Sequence, residues 1–168
     1  AVVHGGGKQM TRFLAERGVE SKFVGGLRVT TPDVIDAVLK VFAGSVNHTL
    51  VAALVAAGSQ AVGLTGIDAS LTEAEQWSPE LGAVGKPVRS NAALLDLLTS
   101  NGYLPVVACV AGDKQGNIYN VNADQMAASC AATSAARIAL LALSSPRGQR
   151  GADAHRAHQQ AGPPPCRE

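Results

Sequence analysis

The chain is short of aromatic residues and cysteines, and neither sign of charge is in excess. Of 168 residues, 4% are aromatic while 46% are hydrophobic, so the core has to be built from Ala, Val and Leu. With 18 Gly, that mixture fits alternating short buried strands and helices better than an all-β barrel. Trp77 and Tyr103 are isolated and offer no stacking platform for single-stranded nucleic acid. A formal net charge of +1 gives no global field to attract nucleic acid or an anionic membrane. The three cysteines, Cys109, Cys130 and Cys166, are odd in number and lack CxxC spacing. Neither a disulfide framework nor a zinc site is implied. The expectation is a reducing cytoplasm, with Cys109 and Cys130 as small buried apolar residues. No apolar run approaches the ~20 residues that cross a bilayer. No signal peptide is visible, because Ala1 opens directly on a strand-like run without a charged leader. The length suits one domain that buries its own core.

What is present alternates between the two periodicities. Val2-Val3 reads as the end of a buried strand. Met10, Phe13 and Leu14 are spaced for a helix from Gln9 to Arg17, stopped by Gly18. Thr31-Pro32-Asp33 is a helix start, with Thr31 as N-cap and Pro32 at the first position. That helix is expected to run to about Gly44, and a second from Ser45 to Ala57. Gln60 to Leu64 is a short strand. Thr65 to Pro87 is polar and broken by Gly and Pro, with a thin apolar stripe at Leu71, Ala74 and Leu81; it reads as a hairpin or excursion on the domain edge. Ser90-Asn91 caps a helix that closes at Asn101-Gly102. Leu104 to Val110 is the strongest strand, Ile118 to Val121 a shorter one, Ala123 to Thr133 a helix and Ile138 to Leu143 the next strand. This alternation predicts an α/β sandwich around a largely parallel sheet. From Ser144 the composition turns basic and Pro-rich, so 144–168 is expected to be a disordered tail behind a domain of residues 1–143. His155 and His158 in that tail are not expected to bind metal.

Three segments carry chemistry. Gly5-Gly6-Gly7, between a strand and a helix, exposes backbone N–H groups beside a helix N-terminus, an arrangement that binds phosphate or carboxylate oxygens. The spacing is neither GxxxxGK[ST] nor GxGxxG, and a plain tight turn is the competing reading. Arg28 follows Gly25-Gly26-Leu27; a guanidinium there can grip a carboxylate with two bonds, or be a surface charge. In Asn120-Val121-Asn122-Ala123-Asp124, strand alternation puts Asn120 and Asn122 on one face. Two amides facing one way can read carboxylate and amide groups of a ligand. Asp124 falls near a helix N-terminus, where it or Asn122 can act as a cap.

In order and neighbours, these segments, together with Asn101-Gly102-Tyr103-Leu104-Pro105-Val106-Val107, resemble the amino-acid kinase family, and within it the N-acetylglutamate kinases, over roughly residues 1 to 141. The resemblance implies a three-layer α/β sandwich of which the amino-terminal lobe is represented. It implies transfer of the γ-phosphoryl group of ATP, with Mg, to the side-chain carboxylate of N-acetyl-L-glutamate in arginine biosynthesis, and a homo-oligomer without nucleic-acid or membrane partners. Carried over residue by residue, Gly6 and Gly7 resemble backbone donors near substrate and transferred phosphoryl. Arg28 resembles the clamp on the α-carboxylate, and Asn120, with Asn122 nearby, resembles the contact to the amino acid. Asp124 resembles the catalytic carboxylate that positions lysines. The family's first-strand Lys-x-Gly-Gly segment and its nucleotide-binding half have no counterpart in this sequence, and from Ala142 the residues cease to resemble it. The expectation is a substrate lobe followed by out-of-frame residues. Two alternatives stay open: a non-catalytic acetylglutamate-binding or regulatory domain, as in an N-acetylglutamate synthase, and an inactive fragment.

Overall fold

The computed structural model describes residues 1–91 and 93–141. The predicted tail, Cys166 and the His155–His158 pair lie outside the described residues. The chain opens with β1 (Val2–His4) and α1 (Gly7–Ala15), which buries Met10 and Leu14 as its spacing requires. A hairpin of β2 (Phe23–Val24) and β3 (Leu27–Arg28) follows. Next come α2 (Pro32–Val38), a π-helical segment (Leu39–Val46), α3 (Asn47–Ala56) and β4 (Ala61–Thr65). Then come β5 (Thr72–Gln76), β6 (Val84–Ser90), α4 (Ala93–Ser100), β7 (Leu104–Ala108), β8 (Val110–Gly112), β9 (Ile118–Val121), α5 (Ala123–Ala131) and β10 (Ala139–Leu141).

A four-stranded sheet in the order β10-β1-β7-β4 is parallel throughout. Helices cover it: α3 packs on β4 and β7, α4 on β7, and α5 on β1 and β10. Burial on both faces is why Val3, Val106, Val107 and Ala108 form continuous apolar runs rather than an alternating pattern. This is the α/β architecture that the alternation of elements predicts.

Four local expectations need correction. The helix read as two, with a break at Gly44, is one continuous helix from Pro32 to Ala56. It absorbs Gly44 and Ser45 in the π-helical stretch, and the Ser45 hydroxyl turns back to donate to the Val41 carbonyl at 3.3 Å. By length and composition this helix could cross a bilayer, which no single run of the sequence announced. Val34, Ala37, Val38, Val41, Phe42 and Val46 nevertheless lie in the core. Thr31 occupies the N-cap position, but its hydroxyl makes no capping bond. Residues 65–87 are more than an edge excursion. The β5–β6 hairpin joins β8 and β9 in a small closed barrel, and Leu71, Ala74 and Leu81 are buried.

The strand expected over 104–110 breaks at Cys109. Its N–H donates to the His4 carbonyl in the sheet at 3.1 Å, and its carbonyl accepts from Val121 in the barrel at 3.1 Å. One residue thus stitches sheet to barrel where β1 ends.

Candidate functional site

At that junction lies a cavity of about 220 Å³, lined by Gly5, Gly6, Gly7, Arg28, Asn120 and Asn122, with Phe23, Phe42 and Cys109 among its apolar walls. Among the described residues no acidic side chain lines it. The separate glycine, guanidinium and carboxamide segments therefore meet in one place. Asp124 does not line the cavity; it is exposed in the first turn of α5.

Each polar group is held by its own local chemistry. Gly6 immediately precedes α1, and its carbonyl accepts from Met10 N–H at 2.8 Å. Its φ of 179° is ordinary extended backbone; what requires glycine is space, because a Cβ there would fall 3.0 Å from the Phe42 ring. Arg28 reaches the cavity from the hairpin, whose turn residues Gly25 and Gly26 have φ of +56° and +81°, values of a type I′ turn. Its side chain is not the surface charge that is the commoner fate of arginine: it is 8% exposed. The guanidinium donates to Thr11 Oγ1 at 2.9 Å, to the Gly7 carbonyl at 3.2 Å and to Ser21 Oγ, and it lies 4.6 Å from the Phe23 ring centroid. Among the described residues those bonds occupy three of its five N–H donors. Burial lowers its pKa from 12.5, and a guanidinium stays charged throughout the physiological range.

Asn120 Nδ2 donates to Thr30 Oγ1 at 3.1 Å, and that hydroxyl donates to the Arg28 carbonyl at 2.8 Å. Thr30 thus ties the carboxamide to the arginine strand. Asn122 is the N-cap of α5: its Oδ1 accepts from Asp124 N–H at 2.9 Å and Gln125 N–H at 3.1 Å. Of the two caps the sequence left open, Asn122 takes the position, and only its NH₂ group is left for a ligand. Cys109 is no nucleophile, because burial pushes its thiol up to about 12.

Thr11, Ser21, Thr30, Phe23 and Phe42 escape a reading by motif. Single hydroxyls and phenyl rings carry no spacing signal; only the Gly25-Gly26 turn, which pairs Phe23 with Arg28, could have pointed to one of them. The arrangement offers backbone donors, one guanidinium and two carboxamides to a small anionic ligand with further polar groups.

Residues 1–144 match the model of the amino acid kinase family. The chain belongs to that family. It is 75% identical over 130 residues to the acetylglutamate kinase of Solibacter usitatus, an overlap of 77% of this chain and 51% of the relative. Among solved structures it is similar to smu.665 from Streptococcus mutans UA159, with a TM-score of 0.73 and 28% identity over 77% of this chain and 53% of that one. The N-acetylglutamate synthase of Neisseria gonorrhoeae complexed with coenzyme A and N-acetyl-glutamate is similar at a TM-score of 0.65. At 21% identity, over 85% of this chain and 33% of that one, it shares the fold alone. This amino acid kinase family chain spans about half the length of the curated relatives it matches, 51% and 59% for two of them.

Proposed function

We propose that the chain is the substrate-binding lobe of an acetylglutamate kinase, which transfers the γ-phosphoryl group of ATP to the side-chain carboxylate of N-acetyl-L-glutamate. The observation that carries this reading is the cavity at the sheet–barrel junction, with one buried arginine, two carboxamides and a glycine turn. Its 220 Å³ falls below the about 300–1,000 Å³ of pockets for drug-sized ligands. That suits a small acylated amino acid, and a nucleotide would have to bind elsewhere. The name of the Solibacter relative supports the same substrate.

In this reading Arg28 meets the α-carboxylate with its charge and an N–H not engaged by Thr11, Ser21 or Gly7, and Asn120 and Asn122 take the remaining polar groups of the amino acid. The acceptor carboxylate is already ionised, so no general base is needed. A bond forms between its oxygen and the γ-phosphorus while the bond from that phosphorus to the bridging oxygen breaks, leaving an acyl phosphate and ADP. Catalysis of this kind is mostly positioning and charge stabilisation. Gly6 and Gly7 N–H groups face the charge that develops on transfer, and Asp124 positions cationic groups around the phosphates.

Among the described residues no cluster of three or more His, Cys, Asp and Glu could hold a metal ion. Magnesium would enter as part of the nucleotide substrate and would supply charge neutralisation at the phosphates. Calorimetry with N-acetylglutamate tests binding, and a hydroxamate assay for the acyl phosphate with MgATP tests transfer. Micromolar to millimolar binding that Arg28→Ala abolishes is the expected result; no heat of binding with the intact chain would overturn the reading.

A further inference from the structure

His4, the last residue of β1, is fully buried, and it does not line the cavity. Its side-chain partner is Asn47, the first residue of α3 and 3% exposed. Asn47 Nδ2 lies 3.0 Å from His4 Nε2 and 2.9 Å from the Val106 carbonyl oxygen. A carbonyl oxygen can only accept, so the atom facing it has to be the NH₂ group, and the amide cannot be turned over. The same nitrogen gives its second hydrogen to Nε2, which must therefore present a lone pair. The ring proton is left on Nδ1, 2.9 Å from the Gly5 carbonyl oxygen, to which it donates. A doubly protonated ring would set N–H against N–H.

The other end of the amide is equally determined. A Cβ placed on Gly63 would fall 2.1 Å from Asn47 Oδ1. Gly63 stands on β4 opposite Val106, so the missing side chain is what admits the asparagine. A chain of contacts thus runs from Gly63 through Asn47 and His4 to Gly5, the first residue of the glycine turn.

We propose that His4 and Asn47 are positioning residues: the carboxamide fixes the imidazole tautomer, and the imidazole holds the Gly5 carbonyl so that Gly6 and Gly7 present their N–H groups to the cavity. The role assigned to the cavity itself rests on the acetylglutamate reading above. The groups that face the ring are the Asn47 amide and the Gly5 carbonyl. The pKa of His4 is lowered by burial, with the Gly5 bond opposing, and no charged side chain contributes to the shift. Cys109 is tied to His4 through its backbone N–H, and burial keeps its thiol neutral.

The test uses the 168-residue chain, labelled with nitrogen-15. Long-range nitrogen–proton spectra report which ring nitrogen is protonated. Protonation of His4 on Nδ1 alone at neutral pH is expected; a proton on Nε2 overturns the proposal before any variant is made. Gly63→Ala then crowds Asn47 from the far side. It should shift the Gly6 and Gly7 amide resonances and weaken N-acetylglutamate binding about tenfold. Asn47→Asp keeps the shape but offers an acceptor to Nε2, so it should raise the His4 pKa and displace the same two resonances. It serves in place of Gly63→Ala should that variant fail to fold. Leu95→Ala, a core truncation in α4, should lower stability while leaving those resonances in place. Unmoved Gly6 and Gly7 signals in the folded Gly63 or Asn47 variant would sink the positioning role. Should the wild-type chain bind no N-acetylglutamate, the reading of the cavity fails, and the tautomer and the two resonances still decide whether His4 and Asn47 set the turn.

Discussion

Gly6 and Arg28 set the terms of the cavity for opposite reasons, one by what it lacks and the other by what it brings. At Gly6 any residue could adopt the backbone angle, so the cost of a side chain is collision with Phe42. Gly6→Ala should destabilise the fold by about 1–3 kcal/mol. Phe42→Leu in the same chain should recover part of that loss, because a smaller neighbour gives way. A double-mutant cycle read by urea unfolding checks it; strict additivity would show that the ring is not the obstacle. Arg28→Ala should weaken N-acetylglutamate binding by about 2–5 kcal/mol if the carboxylate is desolvated. Arg28→Lys should recover little of it, since an ammonium cannot keep the bonds to Thr11, Ser21 and the Gly7 carbonyl and still reach the ligand. Calorimetry on both variants decides, and an unchanged affinity removes Arg28 from the site. At this scale the sequence is readable where a residue type has few uses. A triple glycine and an arginine beside paired glycines announce a ligand. The hydroxyls of Thr11, Ser21 and Thr30, which fix the arginine and Asn120, have too many uses to announce anything.

Elements are legible where a local signal starts or stops them. Gly18, with φ of +69°, and Gly102, with φ of +80°, close helices as their positions promise. The β2–β3 hairpin is legible only in hindsight, because two residues per strand are too few to show alternation. Its turn is nonetheless the stiffest requirement in the segment, since both Gly25 and Gly26 lie in the left-handed region. Gly25→Ala has open space for its methyl group and does not line the cavity, so only backbone strain acts, costing about 1 kcal/mol. The expected result is a small loss of global stability with a larger loss of ligand affinity, because Phe23 and Arg28 ride on the two strands. Calorimetry and thermal unfolding of one variant separate the two effects; a loss of stability alone would mean the hairpin does not position the arginine. The continuous Pro32–Ala56 helix shows the opposite limit. Gly44 and Ser45 read locally as a break, and burial of Val41, Phe42 and Val46 overrides them.

Over the whole molecule, the parallel sheet is legible because strands and helices alternate. The barrel is not, because its closing pairs, β5 with β8 and β6 with β9, join residues far apart in sequence that no local pattern encodes. The balance of buried titratable groups is also a property of the assembled fold, and it predicts a stability window in pH. The pKa of His4 is lowered from 6.5 by burial. Below 6.5 the unfolded chain binds a proton that the folded chain refuses, so this contribution is complete above 6.5 and lost as the pH falls. Asp113 adds to the acid side: the Asn117 side chain is the largest cause lowering its pKa from 3.8, so its share is present above 3.8 and lost below. On the alkaline side Cys109 is raised from 9.0 to about 12. There the unfolded chain releases a proton that the folded chain retains. That contribution is complete below 9 and is lost at roughly 1.4 kcal/mol per pH unit as the pH climbs toward 12. Cys130 and Tyr119 shift in the same direction, chiefly by desolvation. Stability should therefore be greatest between about pH 6.5 and 9 and decline on both sides. Urea midpoints across that range test it, and Cys109→Ala should make the alkaline limb shallower, with Cys130 and Tyr119 still contributing, while leaving the acid limb in place. An alkaline limb that keeps its slope in Cys109→Ala would mean that the Cys109 thiol ionises as freely in the folded chain as in the unfolded one.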